Sequence, residues 1–253
     1  MNGLLEKIEN EILRAKKFKF ETKKIDIQRD KLAYMIDHTL LSPDATSAQI
    51  SKLCDEAVKY GFYSVCVNPF RVPEAFDNLK GSKVKIASVV SFPFGAVPTK
   101  IKTEETKWVI EHGADEVDMV INIGMLKDSE YDEVYDDVKS VVESARGKTV
   151  KVIIETALLN FEEKVAACVI SKESGAHFVK TSTGYSKGGA VAEDVALMRF
   201  VVGEKMGVKA SGGIHSYDDA LRMISAGANR IGASKSVEII GGARNEFPGS
   251  KNI

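Results

Sequence analysis

Residues 178–213 read FVKTSTGYSKGGAVAEDVALMRFVVGEKMGVKASGG, and this stretch decides the fold. Two short β-type runs, FVKTST (178–183) and VKASGGI (208–214), flank a longer segment of helical period, the pattern of two parallel strands joined by a crossover helix. The alternation continues in both directions. Upstream lie MIDHTLL (35–41), SVCVN (64–68), VKIASVVSF (84–92), EVDMVIN (116–122) and VKVIIET (150–156); downstream lies RIGAS (230–234). Helix signals recur between them. Ser47 leads into AQISKLCDEAVKY, Pro98 opens TKIKTEETKWVIEHG, and Gly113, Gly175 and Gly227 stand as C-terminal stops. Eight strand–helix units predict a closed (β/α)8 TIM barrel. The alternative, an open doubly wound sheet, is disfavoured because no G-x-G-x-x-G follows the first strand. The length of 253 residues also suits a barrel, which takes roughly 250. The expected organisation is a helical extension over residues 1–30 and a catalytic barrel over 31–253. Leu4, Leu5, Ile8, Ile12 and Leu13 recur at amphipathic spacing in the extension, which reads as a cap rather than catalytic machinery.

Composition excludes several partners. With 35 Lys+Arg against 36 Asp+Glu there is no global field to draw the chain onto nucleic acid or a membrane, so any anion site is local. Cys54, Cys66 and Cys168 are odd in number and far apart, which argues against a disulfide framework or zinc site and makes a reducing cytosol the expected compartment. Glu6, Glu9, Glu11 and Glu21 oppose a targeting peptide, and no run approaches the 18 or so apolar residues of a membrane span. His38, His112, His177 and His215 form no ligand spacing, so a metal-dependent mechanism is not expected.

In (β/α)8 barrels chemistry sits at the C-terminal ends of the strands. Asp118, Lys180 and Lys209 each interrupt a strand run that otherwise reads as buried. Period two puts Phe178, Lys180 and Ser182 on one face, Lys209 with Ser211, and Asp118 with Val120 and Asn122; inward faces make the three charges converge. Lysines on adjacent strands repel, at a cost on the order of 4 kcal/mol for about 4 Å and an effective dielectric near 20. That cost and burial both favour a neutral amine, the form that attacks a carbonyl. Asp118 then either holds the cationic partner or moves protons. The competing reading is a buried ionic network that only fills the barrel, which is electrostatically expensive without a purpose. Lys151 and Glu155 share a strand face and read as a supporting, structural pair.

A second constellation is glycine-rich: TSTGYSKGG, ASGGIHS and RIGASKS follow or surround the last three strands. Such loops suit a phosphate, with Gly184, Gly212, Gly213, Gly232 and Ser234 as candidates and Lys187 and Lys235 either adding charge or simply solvated. Tight turns alone are the alternative. Alternation puts Asp37 and Thr39, beside His38, on one face as polar contacts for a sugar hydroxyl, while Cys66 faces inward, more as a small apolar filler than a site residue. His112 and His177 sit near helix ends and read as surface residues.

These segments, densest in GADEVDMVIN, KVIIET, FVKTSTG and KASGG, resemble deoxyribose-phosphate aldolases from about residue 35 to 234. The resemblance implies reversible, cofactor-free and metal-free cleavage of 2-deoxy-D-ribose 5-phosphate into acetaldehyde and D-glyceraldehyde 3-phosphate. It implies Lys180 as the Schiff-base lysine, Lys209 as the group that lowers its pKa and helps proton relay, and Asp118 as proton shuttle. Asp37, Thr39 and Cys66 match substrate-pocket positions; Gly184, Gly212, Gly213, Gly232 and Ser234 match phosphate-binding ones. The chain departs from some members at Tyr185 and Lys235, where they carry a lysine and a serine, and in the tail EFPGSKNI, which lacks their terminal tyrosine. A rearranged phosphate grip and no tyrosine-borne proton transfer are the expectations. The expected partners are a small phosphosugar and further copies of the chain, a dimer first. The rivals are another Schiff-base phosphosugar aldolase or transaldolase, and a phosphosugar-binding barrel without turnover.

Overall fold

The computed structural model describes residues 2–21 and 25–242. Eight strands, β1 Ile36–Leu40, β2 Ser64–Val67, β3 Lys85–Val90, β4 Glu116–Val120, β5 Thr149–Ile153, β6 Phe178–Lys180, β7 Gly207–Ser211 and β8 Arg230–Ala233, close into the predicted barrel. All neighbours are parallel, and β8 returns to β1 through the registers Ile36↔Ile231 and Asp37↔Gly232. Helices α1 Asn2–Ala15 and α2 Arg29–Ala33 precede β1. The crossovers carry α3 Ser47–Tyr60, α4 Val72–Asn78, α5 Thr99–Glu111, α6 Ile123–Lys127, α7 Tyr131–Ser144, α8 Phe161–Glu173, α9 Ala192–Val202 and α10 Tyr217–Ser225; α11 Ser236–Gly241 follows β8.

Every strand begins within one residue of its predicted start and ends one to three residues before its predicted end. The shortfall lies at the C-terminal mouth. There the left-handed backbone of Ser91 (φ 52°), Glu155 (φ 54°) and Gly212 (φ 85°) turns β-prone residues out of the ladder. Helix ends follow local chemistry. Thr46, not Ser47, caps α3 in a reciprocal box with Gln49, and Asn160 with Glu163 and Ser216 with Asp219 do the same for α8 and α10.

The amphipathic helix α1 does not close an end of the barrel. It lies on the outer layer against α8, α9 and α7, because Leu4, Ile8 and Ile12 pack into the apolar layer of the helices. Arg14 fixes it from the rim, its guanidinium 4.1 Å over the Phe200 ring and 2.8 Å from the Phe200 carbonyl. Most apolar side chains fill the shell between strands and helices. Inside the barrel a small separate cluster, Leu41, Cys66, Ala87 and Val89 with Phe92, occupies the side of β2 and β3. Much of the rest of the interior is charged.

Candidate active site

Strand alternation and register assemble that charge. Asp118 lies beside Lys151, Ile153 beside Lys180, Lys180 beside Lys209, and Lys209 beside Arg230 in successive pairings from β4 to β8. Lys180 and Lys209 each donate to the same Asp118 Oδ2 at 2.8 Å, so the carboxylate bridges the two amines and offsets their repulsion. Lys151 takes the other oxygen, Oδ1, at 2.6 Å and Glu116 at 2.6 Å. Arg230 binds Asp37 at 2.8 Å and Glu116 at 3.2 Å, its guanidinium 3.5 Å over the Tyr63 ring. Ser64 donates to Asp37 at 2.7 Å, and Lys209 closes the circuit on Asp37 Oδ2. All seven charged residues are buried.

Environment separates the amines. Burial lowers the Lys180 pKa from its ordinary 10.5, aided by Lys209 and opposed by Asp118. Burial opposes the Lys209 cation too, but Asp118 and Asp37 outweigh it and its pKa is raised; Lys151 is raised by the same kind of balance. Burial likewise works against the Asp118 carboxylate, yet Lys151, Lys180 and Lys209 hold it well below 3.8. Burial pushes the Cys66 thiol up, so it stays protonated within the apolar cluster. The result is one amine inclined to lose its proton among cations inclined to keep theirs.

Several expected contacts differ. Lys151 and Glu155 do not pair: β5 ends at Ile153, and the left-handed backbone of Glu155 takes it out of the strand toward the loop after β6. Glu155 instead accepts from the Thr183 N–H at 3.1 Å and from the Thr183 hydroxyl, and that hydroxyl accepts from the Tyr185 N–H at 3.1 Å. Asp37 is enclosed in the ionic network rather than open to the mouth, while half-buried Thr39 sits one step higher, donating to the Asp37 carbonyl at 2.8 Å. Gly232 is also interior: a Cβ there would stand 2.9 Å from Lys209 Cε, so its missing side chain makes room for that lysine. His38 faces outward, between Ser236 at 3.0 Å and Glu56 at 2.9 Å.

The loops after β6 and β7 meet at the mouth. Gly184, Gly212 and Gly213 have φ of 84°, 85° and 74°, a backbone that L side chains rarely adopt. The Ala190 N–H donates to the Gly212 carbonyl at 2.9 Å, and a Cβ on Gly189 would come within 2.4 Å of that oxygen. Ser234, Lys187 and Lys235 are exposed on the neighbouring rim. Tyr185 stacks edge-on against Phe92 at 5.4 Å, joining the loop after β6 to the loop after β3. Among the described residues, Glu155 Oε1, Thr156 Oγ1 and Ser182 Oγ are buried without a protein partner, three oxygens with unused capacity for a water or a substrate hydroxyl. The tail EFPGSKNI lies outside the described residues.

Glu116, Arg230 and the central place of Lys151 escape a reading that looks only near the strand ends. All three are reached by extending the period-two count toward the strand starts, to Glu116 from Asp118, to Lys151 from Ile153 and to Arg230 from Gly232. The unpartnered oxygens of Thr156 and Ser182 carry no signal in the sequence beyond polarity.

Such a barrel, with two buried lysines on one carboxylate near its C-terminal mouth, defines a class: barrel enzymes equipped for amine chemistry on a carbonyl compound. Residues 31–243 match the family model for DeoC/LacD family aldolases, and the chain belongs to that family of enzymes. It is 59% identical over 218 residues to a deoxyribose-phosphate aldolase of Thermococcus gammatolerans, covering 85% of this chain and 97% of the relative. The enzyme of the same name from Thermotoga maritima is 56% identical over 214 residues, covering 85% and 86%. Among solved structures, the tetrameric deoxyribose phosphate aldolase of Aeropyrum pernix superposes with a TM-score of 0.81 at 33% identity, covering 93% and 96%.

Proposed function

We propose that this aldolase reversibly cleaves 2-deoxy-D-ribose 5-phosphate, with Lys180 as the amine that forms the Schiff base. The observation that carries the reading is the shared Asp118 oxygen: it fixes two buried lysines side by side, and of these two only Lys180 has its pKa lowered. The neutral amine attacks C1 of the open-chain aldehyde, and the carbinolamine loses water to give the imine. Removal of the C3 hydroxyl proton breaks C2–C3; the electron pair passes to the imine nitrogen as an enamine and D-glyceraldehyde 3-phosphate leaves. Protonation at C2 and hydrolysis release acetaldehyde and return the amine.

Lys209 remains an ammonium that disfavours a second charge on Lys180. The depressed Asp118 pKa supports a holding role for this carboxylate over the shuttle role that the resemblance implies. Asp37 anchors Lys209 from below, Thr39 meets the sugar, and Cys66 shapes the apolar side of the pocket. Gly184, Gly212, Gly213 and Ser234 offer backbone to the phosphate, with Gly232 serving it indirectly through the packing of Lys209. Residues 31–253 are the catalytic domain in this reading and 1–30 its extension. The enzyme works in the cytosol as a homo-oligomer, a dimer being the simplest closed assembly; the molar mass in solution tests that.

Borohydride reduction in the presence of acetaldehyde, followed by peptide mass mapping, tests the amine. An ethyl adduct on Lys180 is expected. Active enzyme that yields no adduct there would sink the assignment.

A further inference from the structure

Lys151 is fully buried beneath Lys180 and holds Asp118 Oδ1 and Glu116 Oε2, each at 2.6 Å. Asp118 therefore has no free oxygen, since Lys180 and Lys209 share Oδ2. The charges facing this centre come from β1 (Asp37), β4 (Glu116, Asp118), β5 (Lys151), β7 (Lys209) and β8 (Arg230). From β2 comes the Cys66 thiol, kept neutral by burial, and β3 contributes Ala87 and Val89. Leaving Lys180 aside, these are three anions and three cations. A protonated Lys180 gives the cluster an excess positive charge in a medium that resists one; a neutral Lys180 leaves it balanced.

We propose that Lys151 and Glu116 are positioning residues that set the protonation state of Lys180, by fixing the charge balance of the cluster beneath it and reserving Asp118 Oδ1. The inference rests on Lys180 being the imine-forming amine. Deleting the Lys151 charge leaves three anions facing two cations, and Lys180 keeps its proton to higher pH. Deleting the Glu116 charge reverses the imbalance. A merely structural pair predicts weaker folding or slower turnover in both variants but no opposed shifts.

The test is the rate of imine trapping with acetaldehyde and borohydride across pH, in wild type, Lys151→Met, Glu116→Gln and the double variant. The midpoint should rise by about one pH unit or more in Lys151→Met and fall by a similar amount in Glu116→Gln. The double variant should return toward wild type. Lys151→Arg keeps the charge and should keep the midpoint, and together with Glu116→Gln it carries the test if Lys151→Met does not fold. Unchanged midpoints, or shifts of the same sign, overturn the inference while leaving Lys180 in place. Mapping the wild-type adduct to another lysine removes the amine assignment, and the inference with it.

Discussion

At the scale of single residues the site turns on how one carboxylate is divided among three lysines. Lys209 is among the groups that lower the Lys180 pKa, so Lys209→Leu should raise the pH needed for imine formation, read from the trapping rate against pH. The sign follows from the amine having to be neutral. Gly232→Ala tests whether that glycine serves Lys209 or the phosphate. A Cβ 2.9 Å from Lys209 Cε should displace the pinned side chain and cut kcat about 10- to 100-fold, whereas a phosphate role would raise KM. Lys180, Lys209 and Asp118 were legible in the sequence because each is a charge that breaks an apolar run inside its strand. Glu116 and Arg230 were not, because each is the first residue of its strand, where a polar residue reads as the end of a loop.

At the scale of elements, a buried pair outside the barrel ties helix to strand. Lys102 of α5 donates to Asp137 of α7 at 2.6 Å and to the Val120 carbonyl, two residues beyond Asp118, at 3.0 Å. Lys102→Met leaves Asp137 buried without its cation and should cost about 3–5 kcal/mol in urea unfolding, much of which the added change Asp137→Leu should recover. Strand starts were predictable because the ladder begins where apolar alternation begins. Strand ends were not: residues 154–156 and 181–183 keep β-type composition after the backbone has turned into the mouth. The seat of α1 was also hidden, since an amphipathic stripe states that a face is covered and not by what.

For the whole molecule, eight repeating units made the closed barrel readable, but its split interior depends on which strands face one another across the axis. That opposition is not a sequence-local property. The ionic half also sets the acid limit of the fold. Burial opposes the charges of Asp37 and Asp118, yet their cations depress both pKa values below 3.8. Their contribution is thus present above pH 3.8 and lost as pH falls through the folded-state values. Urea midpoints measured downward from neutral pH should show this loss below about pH 4, and the loss should be smaller in a variant whose Asp37 is already neutral, Asp37→Asn.

The edge-on contact of Tyr185 with Phe92 spans the opening from the charged half to the oily half. An aromatic contact of this kind is worth about 0.5–1.5 kcal/mol. A bulky aldehyde that must part the rings is slowed by up to about tenfold before it meets any reactive atom. Screening by size is then a property of the doorway, and trimming Tyr185 to alanine should broaden the range of acceptors, measured as relative kcat/KM across aldehydes of increasing bulk, without touching the amine.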